Sequence, residues 1–390
     1  MSKKKKLKVG IVGMGFIGPS HIENARRVGS AEVIGILEAT KELTQEKADL
    51  YNVPKCYGTI EEMLADPEID VVHNCTPTNL HLEYNKKIIE AGKHLFSEKP
   101  LTRTSAESRE LLDTLKKHPN VVVGVNYNYR MNPLVQDMKH RIAEGEIGEP
   151  ILIHGGYLQD WLLYETDYSW RIDPEISGPS RCVGDIGSHW MDTVQAVTGL
   201  QIVEVCANVV TTIPVRKKAV GPVETFAVNT SSEYEDVPVK TEDYAGVLVK
   251  FSNGASGVFQ CSEVSAGHKN GLTFEIDGQK ASFAWGQETA DHMWKGTRDR
   301  SNELIIRSPG FMSPESQKYT YMAAGHPEGW NDALTNNIRS FYDFILAGKK
   351  NGDPADFATF EESHYIMRLI EAILLSGKER RWVSIDEIKD

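Results

Sequence analysis

The chain has 390 residues, of which 40% are hydrophobic and 25% charged, the composition of an ordinary globular protein of about two or three domains. Its net charge of −12 argues against a nucleic-acid partner, since a polyanion binds through clustered positive charge, and no window approaches the ~20 apolar residues of a membrane span. The five cysteines, Cys56, Cys75, Cys182, Cys206 and Cys261, are scattered and form no CxxC pair, which speaks against a disulfide framework or a metal site and fits a reducing, cytoplasmic compartment.

The chain opens on a lysine-rich stretch with no signal-length apolar run behind it, which reads as a tail. Residues 7–12 form a short apolar strand that runs into Gly13-Met14-Gly15-Phe16-Ile17-Gly18, a complete G-x-G-x-x-G. A helix follows, with Ile17, His21, Ala25 and Val28 at helical spacing. Residues 32–37 read as a second strand ending at Glu38, 20 residues after Gly18. In this arrangement the first glycine makes the turn and the second lets backbone approach a pyrophosphate. The third allows close helix–strand packing, and the helix N-terminus supplies amides to the phosphates. Glu38 stands at the offset of the acid that binds the ribose hydroxyls. A carboxylate there repels a 2′-phosphate, so NAD is expected rather than NADP, a preference that nearby Lys41 softens.

The alternation continues with a helix over 59–64, a strand over 70–75 and a helix to about 91. A strand over 93–96, a helix over 105–117 and a strand over 121–125 complete it. Such alternation predicts a parallel sheet with right-handed crossovers. Thr76 and Asn79 lie at a strand end, where a dinucleotide would cross the sheet. His81 is placed either to touch the ligand or to cap and pack the helix it opens. The strand over 93–96 leads into Ser97-Glu98-Lys99-Pro100-Leu101. Pro100 biases Lys99 towards extended geometry, at a strand end where α/β sheets bind ligands. A lysine there holds a substrate hydroxyl, or takes its proton if burial and positive neighbours depress its pKa. In isolation a surface lysine in a proline turn explains the motif as well.

Beyond residue 126 the pattern changes. Strands are predicted over 151–159, 202–210, 244–251, 255–261, 272–276 and 281–285, with Asn253-Gly254 and Asp277-Gly278 as hairpin signals. The chain is thus read as α/β in two domains. Residues 1–126 form a Rossmann parallel sheet. Residues 127–390 form an α+β domain on a large, mostly antiparallel open sheet, with helices at 332–346 and 361–375. Within it, Gly184-Asp185-Ile186-Gly187-Ser188-His189 opens a helix. Asp185 and His189, four apart, share one face, and a carboxylate one turn from an imidazole suits handling a sugar-like hydroxyl. Equally, the helix dipole favours Asp185 where it stands, and His189 packs in the core. Tyr157-Leu158-Gln159-Asp160-Trp161 ends a strand with the aromatic and amide groups that suit a pyranose, though core packing explains Trp161 as well. Residues 212–243 are long for a connection and read as an oligomer arm or a lid. Residues 325–330 read as a loop closing over a pocket.

The G-x-G-x-x-G opening, Glu98-Lys99-Pro100, and Gly184-Asp185-Ile186-Gly187-Ser188-His189 in this order resemble the glucose-fructose oxidoreductase/inositol dehydrogenase (Gfo/Idh/MocA) family over the whole chain. The resemblance implies Lys99, Asp185 and His189 as the catalytic set. It places Gly13, Gly15, Phe16, Ile17, Gly18, Glu38, Thr76, Asn79, His81, Glu98 and Lys99 around NAD. Tyr-Leu-Gln-Asp-Trp followed by Ser169-Trp170-Arg171 looks like the branch of levoglucosan and glycoside dehydrogenases. This makes Tyr129, Gln159, Trp161 and Arg171 substrate-contact candidates. Cys182-Val183-Gly184 departs from the usual Gly-Ala-rich run. The resemblance implies an NAD-dependent dehydrogenase of a sugar, anhydrosugar, glycoside or cyclitol, acting as a homo-oligomer, a dimer or tetramer, without a metal. An NAD-dependent glycoside-cleaving enzyme and a non-catalytic sugar- or dinucleotide-sensing regulator are the alternatives.

Overall fold

Strands that are apolar on both faces need helices on both sides to cover them. In the computed structural model, which describes residues 6–221 and 233–389, the first third meets that need. Its elements are β1 (Leu7–Val12), α1 (Gly18–Val28), β2 (Ala31–Leu37), α2 (Lys41–Tyr51), β3 (Lys55–Cys56), α3 (Ile60–Ala65), β4 (Val71–Asn74), α4 (His81–Glu90), β5 (His94–Ser97), α5 (Ser105–Lys116) and β6 (Val123–Val125). The sheet is parallel, in the order β3-β2-β1-β4-β5-β6. The order reverses between β1 and β4, and a ligand crevice opens at such a switch point. The side-chain oxygens of Thr40, Thr59 and Thr104 cap α2, α3 and α5.

The chain divides into two compact units, Met1–Asn128 with Leu334–His364, and Tyr129–Ala333 with Tyr365–Asp390. A division at residue 126 that leaves everything afterwards in one domain is thereby corrected. Residues 334–364 belong with the first unit because their aromatic side chains close its sheet. A β-carbon on Gly124 of β6 would sit 2.9 Å from Phe357 and 3.1 Å from Phe341. The Val125 N–H also donates to the Ala358 carbonyl at 2.9 Å.

The second unit contains α6 (Pro133–Ala143), β7 (Pro150–Leu158), α7 (Pro174–Ser177), α8 (Ser188–Thr198), β8 (Ile202–Val210), β9 (Val215–Ala219), β10 (Tyr234–Pro238), β11 (Tyr244–Phe251) and β12 (Ser256–Ser262). It continues with β13 (Gly271–Gly278), β14 (Ser282–Gly286), β15 (His292–Gly296), β16 (Glu303–Ile306) and α9 (Pro314–Gln317). Then come α10 (Trp330–Leu346) and α11 (Phe360–Glu379), which carry the chain into and out of the first unit, and β17 (Val383–Ser384). Nine strands form one sheet, β16-β15-β14-β13-β7-β12-β11-β8-β17. Only β7 and β12 pair in parallel. On one face Trp190 of α8 stacks on Phe259 of β12 at 4.5 Å. On the other, Leu152, Leu248, Val258, Leu304 and Ile306 stand 46–62% exposed.

The predicted strands all appear, whereas β3 in the first unit and β9, β10, β15, β16 and β17 in the second are additional. Their short, charge-interrupted runs carry no clear period. Arg216, inside the 212–243 stretch expected to be an arm or lid, is fully buried. It bonds Asp243 at 2.9 Å and the carbonyls of Leu162 (2.8 Å) and Tyr164 (2.9 Å). The tail at residues 1–5 and residues 222–232 of the possible arm lie outside the described residues. The 325–330 loop is tied down by Glu328, which accepts the Tyr321 N–H at 2.7 Å. No helix among the described residues is long and apolar enough to cross a membrane.

Candidate active site

In the first unit the turn after β1 is made by Gly13 at φ +86°. A β-carbon there would lie 2.6 Å from the Cys75 carbonyl oxygen, and one at Gly18 would lie 2.3 Å from that of Gly13. Gly15, in contrast, has open space where its β-carbon would be. The first and third glycines are thus required by packing, and the second leaves room for a ligand. Helix α1 begins with no side-chain cap and no acid in its first turn, so its free N–H groups and positive end suit a diphosphate. Phe16 is 65% exposed at the same turn, and Ile17 is the residue from which α1 starts. Glu38 turns back onto this loop, accepting the Met14 N–H at 3.0 Å and the Ala39 N–H at 2.5 Å. A glycine cradle, an uncapped helix and a carboxylate held beside them fit a dinucleotide with free ribose hydroxyls.

The other cofactor candidates divide. Thr76 donates its hydroxyl to Asn74 at 2.7 Å, and Asn79 is exposed. His81 is 1% exposed and bridges the carbonyls of Thr76 and Pro100, each at 2.9 Å. Burial favours the neutral ring, which has one N–H to donate to one of these carbonyls, so His81 packs between two loops. Lys99 is half-buried where β5 ends. Beside it, Glu98 accepts from His21 at 2.8 Å and from Asn126 at 2.6 Å, and its second oxygen accepts the Lys99 N–H at 3.3 Å. Burial alone would raise the Glu98 carboxyl. Hydrogen bonds from His21 and Asn126 and nearby positive charge overcome it and lower the group.

The second unit gathers the remaining candidates. Asp185 lies in a π-helical turn, Val183–Gly187, that leads directly into α8. Such wide turns recur at functional sites. The sequence spacing predicted one regular helix. Asp185 Oδ1 accepts from Arg171 Nε at 3.2 Å, and the Arg171 guanidinium lies 4.4 Å from the Trp170 ring. His189 is 6% exposed and meets the Tyr129 ring edge-on at 4.7 Å. Tyr129 and Tyr157 have their hydroxyls 2.7 Å apart, and both donate to Asn270 Oδ1, that of Tyr129 at 2.9 Å. Gln159 donates to the Tyr157 hydroxyl at 3.4 Å. Burial pushes the Tyr129 phenol up to about 12 and raises the Tyr157 phenol well above its ordinary value. Both therefore remain protonated donors near neutral pH. Trp161 packs on Leu162, Ile172 and Val239. Arg130 is taken up by a buried ion pair with Asp192 at 2.9 Å.

Two residues of this cluster escaped the sequence reading. Asn270 sits in an Asn-Gly step that signals only a turn. Glu263 is fully buried, with Arg181 Nη1 at 2.7 Å, and burial raises its carboxyl to about 8 against the pull of Arg181. A further trio, His154, Glu275 and Asp277, brings ligand-type atoms within 4.8 Å. The 3.4 Å pairing of His154 with Asp277 accounts for it without an ion.

A Rossmann unit with a dinucleotide cradle, in one chain with a sheet unit that groups a carboxylate, an imidazole and phenols, defines a dinucleotide-dependent oxidoreductase. Residues 7–127 match the oxidoreductase family with an NAD-binding Rossmann fold, and residues 135–284 match the Gfo/Idh/MocA C-terminal domain. Levoglucosan dehydrogenase of Pseudarthrobacter phenanthrenivorans is 30% identical over 98% of this chain and 99% of its own. A solved structure of levoglucosan dehydrogenase with NADH and levoglucosan superposes with a TM-score of 0.87 at 27% identity, covering 98% and 100% of the two chains. Myo-inositol 2-dehydrogenase of Thermotoga maritima is 24% identical over 98% of this chain and 99% of its own. The chain belongs to the Gfo/Idh/MocA family of oxidoreductases, and its first domain is an NAD-binding Rossmann fold.

Proposed function

We propose that the protein is an NAD-dependent dehydrogenase that oxidises a secondary hydroxyl of a sugar, anhydrosugar, glycoside or cyclitol. The observation that carries this reading is the hydroxyl- and amide-rich cluster of Tyr129, Tyr157, Gln159 and Asn270 around His189, with the Asp185–Arg171 pair in the same unit. It offers a polyol several donors and acceptors. Likeness to levoglucosan dehydrogenase over the full chain supports the same class.

The amides of the Gly13–Gly18 turn and the α1 N-terminus hold the diphosphate, and Glu38 holds the adenine-side ribose. Bound NAD supplies a hydride acceptor. Lys99 contacts the substrate hydroxyl and takes its proton while the carbon-bound hydrogen leaves with its electron pair. His189 shares that proton, Asp185 orients the substrate or His189, and Tyr129, Gln159, Trp161 and Arg171 bind the ring. With five free thiols, a cytoplasmic location is proposed, and the exposed sheet face favours a homo-oligomer.

The test is an NAD-reduction screen over monosaccharides, anhydrosugars, inositols and glycosides. One class is expected to yield NADH in proportion to substrate consumed. Lys99→Ala is expected to lower turnover by about 10²–10⁴-fold with NAD affinity close to that of the parent. Sugar release without net NADH, or full turnover in Lys99→Ala, would overturn the assignment.

A further inference from the structure

Four polar side chains of the first unit, none of them with a part in the reaction above, are buried in a row. The Tyr342 hydroxyl lies 2.9 Å from His73 Nε2, His73 Nδ1 lies 2.9 Å from His21 Nδ1, and His21 Nε2 lies 2.8 Å from Glu98 Oε1. Tyr342, His73 and His21 are fully buried and Glu98 is 8% exposed. The two imidazoles meet edge-on at 5.1 Å, with Phe96 5.2 Å from one and 6.0 Å from the other. Packing therefore holds both rings in place.

The protons in this row are decided by chemistry. A carboxylate only accepts, so His21 must donate from Nε2. A neutral imidazole then has a lone pair at Nδ1, and His73 must donate to it. That leaves His73 Nε2 as an acceptor, which the Tyr342 hydroxyl fills. Every donor and acceptor is satisfied. An imidazolium at His21 would instead turn the His73 Nε2–H towards Tyr342. The phenol proton would then lose its only acceptor in a buried site.

We propose that Tyr342, His73 and His21 form a one-way chain of hydrogen bonds that keeps Glu98 a carboxylate and, through its bond to the Lys99 backbone N–H, positions Lys99. These three are positioning residues, and the proposal rests on Lys99 being the catalytic lysine. The titratable groups around the row are Lys99, Cys75 and His81 together with the members themselves. Burial keeps the His73 imidazole neutral and the Tyr342 phenol protonated, so the row keeps one arrangement across the neutral range.

Histidine ¹⁵N NMR on the full-length protein tests this directly. The parent is expected to show His21 as the Nε2–H tautomer and His73 as the Nδ1–H tautomer. His73→Phe removes the donor to His21 Nδ1, so His21 is expected to lose its single Nε2–H tautomer signature. This should come with a fall in kcat of about tenfold to a hundredfold and unaltered NAD affinity. Tyr342→Phe keeps both imidazoles and serves if His73→Phe does not fold. It is expected to release the His73 tautomer and to lower kcat in the same direction. A His21 imidazolium or Nδ1–H tautomer in the parent would overturn the proposal, as would parental kcat in both variants. Failure of the Lys99 assignment is separable, since Lys99→Ala would then retain turnover while the tautomers read as expected.

Discussion

Asn270 gathers two phenol protons on a single oxygen, and with them the orientation of the rings that flank His189. Replacing it by leucine removes that acceptor. One phenol then donates to the other, and one buried proton is left unpaired, at a cost of about 1–3 kcal/mol. Asn270→Leu is therefore expected to lower the urea midpoint and to cut kcat/KM for the sugar, with NAD affinity unchanged. Unchanged sugar kinetics in a folded variant would remove the phenol cluster from the substrate site. At this scale residue types were legible, since Lys99, Asp185 and His189 announce themselves by motif and spacing. Partners distant in sequence were not. Asn270 lies 141 residues from Tyr129, and Arg216, which looks like surface charge, has a buried carboxylate and three carbonyls as partners.

Among elements, the β1 turn was legible to the residue because local sterics decide it. A glycine at φ +86° within 2.6 Å of a backbone oxygen tolerates no side chain. Gly13→Ala combines an unfavourable backbone region, worth about 1–3 kcal/mol, with a clash that only movement of the turn can relieve. NADH-fluorescence titration is expected to show at least about tenfold weaker binding, the cost of about 1.4 kcal/mol, with a lowered thermal midpoint. Parental affinity in this variant would place the diphosphate elsewhere. The π-helical turn at Asp185 was not legible, because its winding is set by tertiary contacts. The two glycines of Gly184-Asp185-Ile186-Gly187 weaken the regular helix. Gly187 also packs where a β-carbon would be 3.3 Å from Cys261 of β12. The return of residues 334–364 to the first unit was likewise hidden, since an amphipathic helix shows that it has an apolar face and not which sheet that face covers.

For the whole molecule, strand–helix alternation dictated the parallel sheet, and the loss of that alternation dictated the second unit. What it left open was the fate of the large sheet's second face. Cys206 of β8 pairs with Leu248 of β11, Leu248 pairs with Val258 of β12, and Leu152 of β7 lies one pair further along. An apolar ladder therefore crosses four adjacent strands, with Leu248, Val258 and Leu152 each 46–49% exposed. Continuous apolar surface of this kind marks an interaction site, and a strand-to-strand patch on a rigid sheet is self-complementary in a two-fold pairing. The patch is flanked by charge of both signs: Lys250 pairs with Glu204 on one side, and His154, the β7 partner of Val258, pairs with Asp277 at 3.4 Å on the other. Light scattering after size exclusion is expected to give a multiple of the chain mass for the parent. Leu248→Lys with Val258→Lys, which sets like charges directly opposite one another, is expected to give the mass of one chain. Because each substitution points away from the packed face, NAD binding should survive in the dissociated variant. A parent that already runs as one chain at micromolar concentration would rule out this face as the means of assembly.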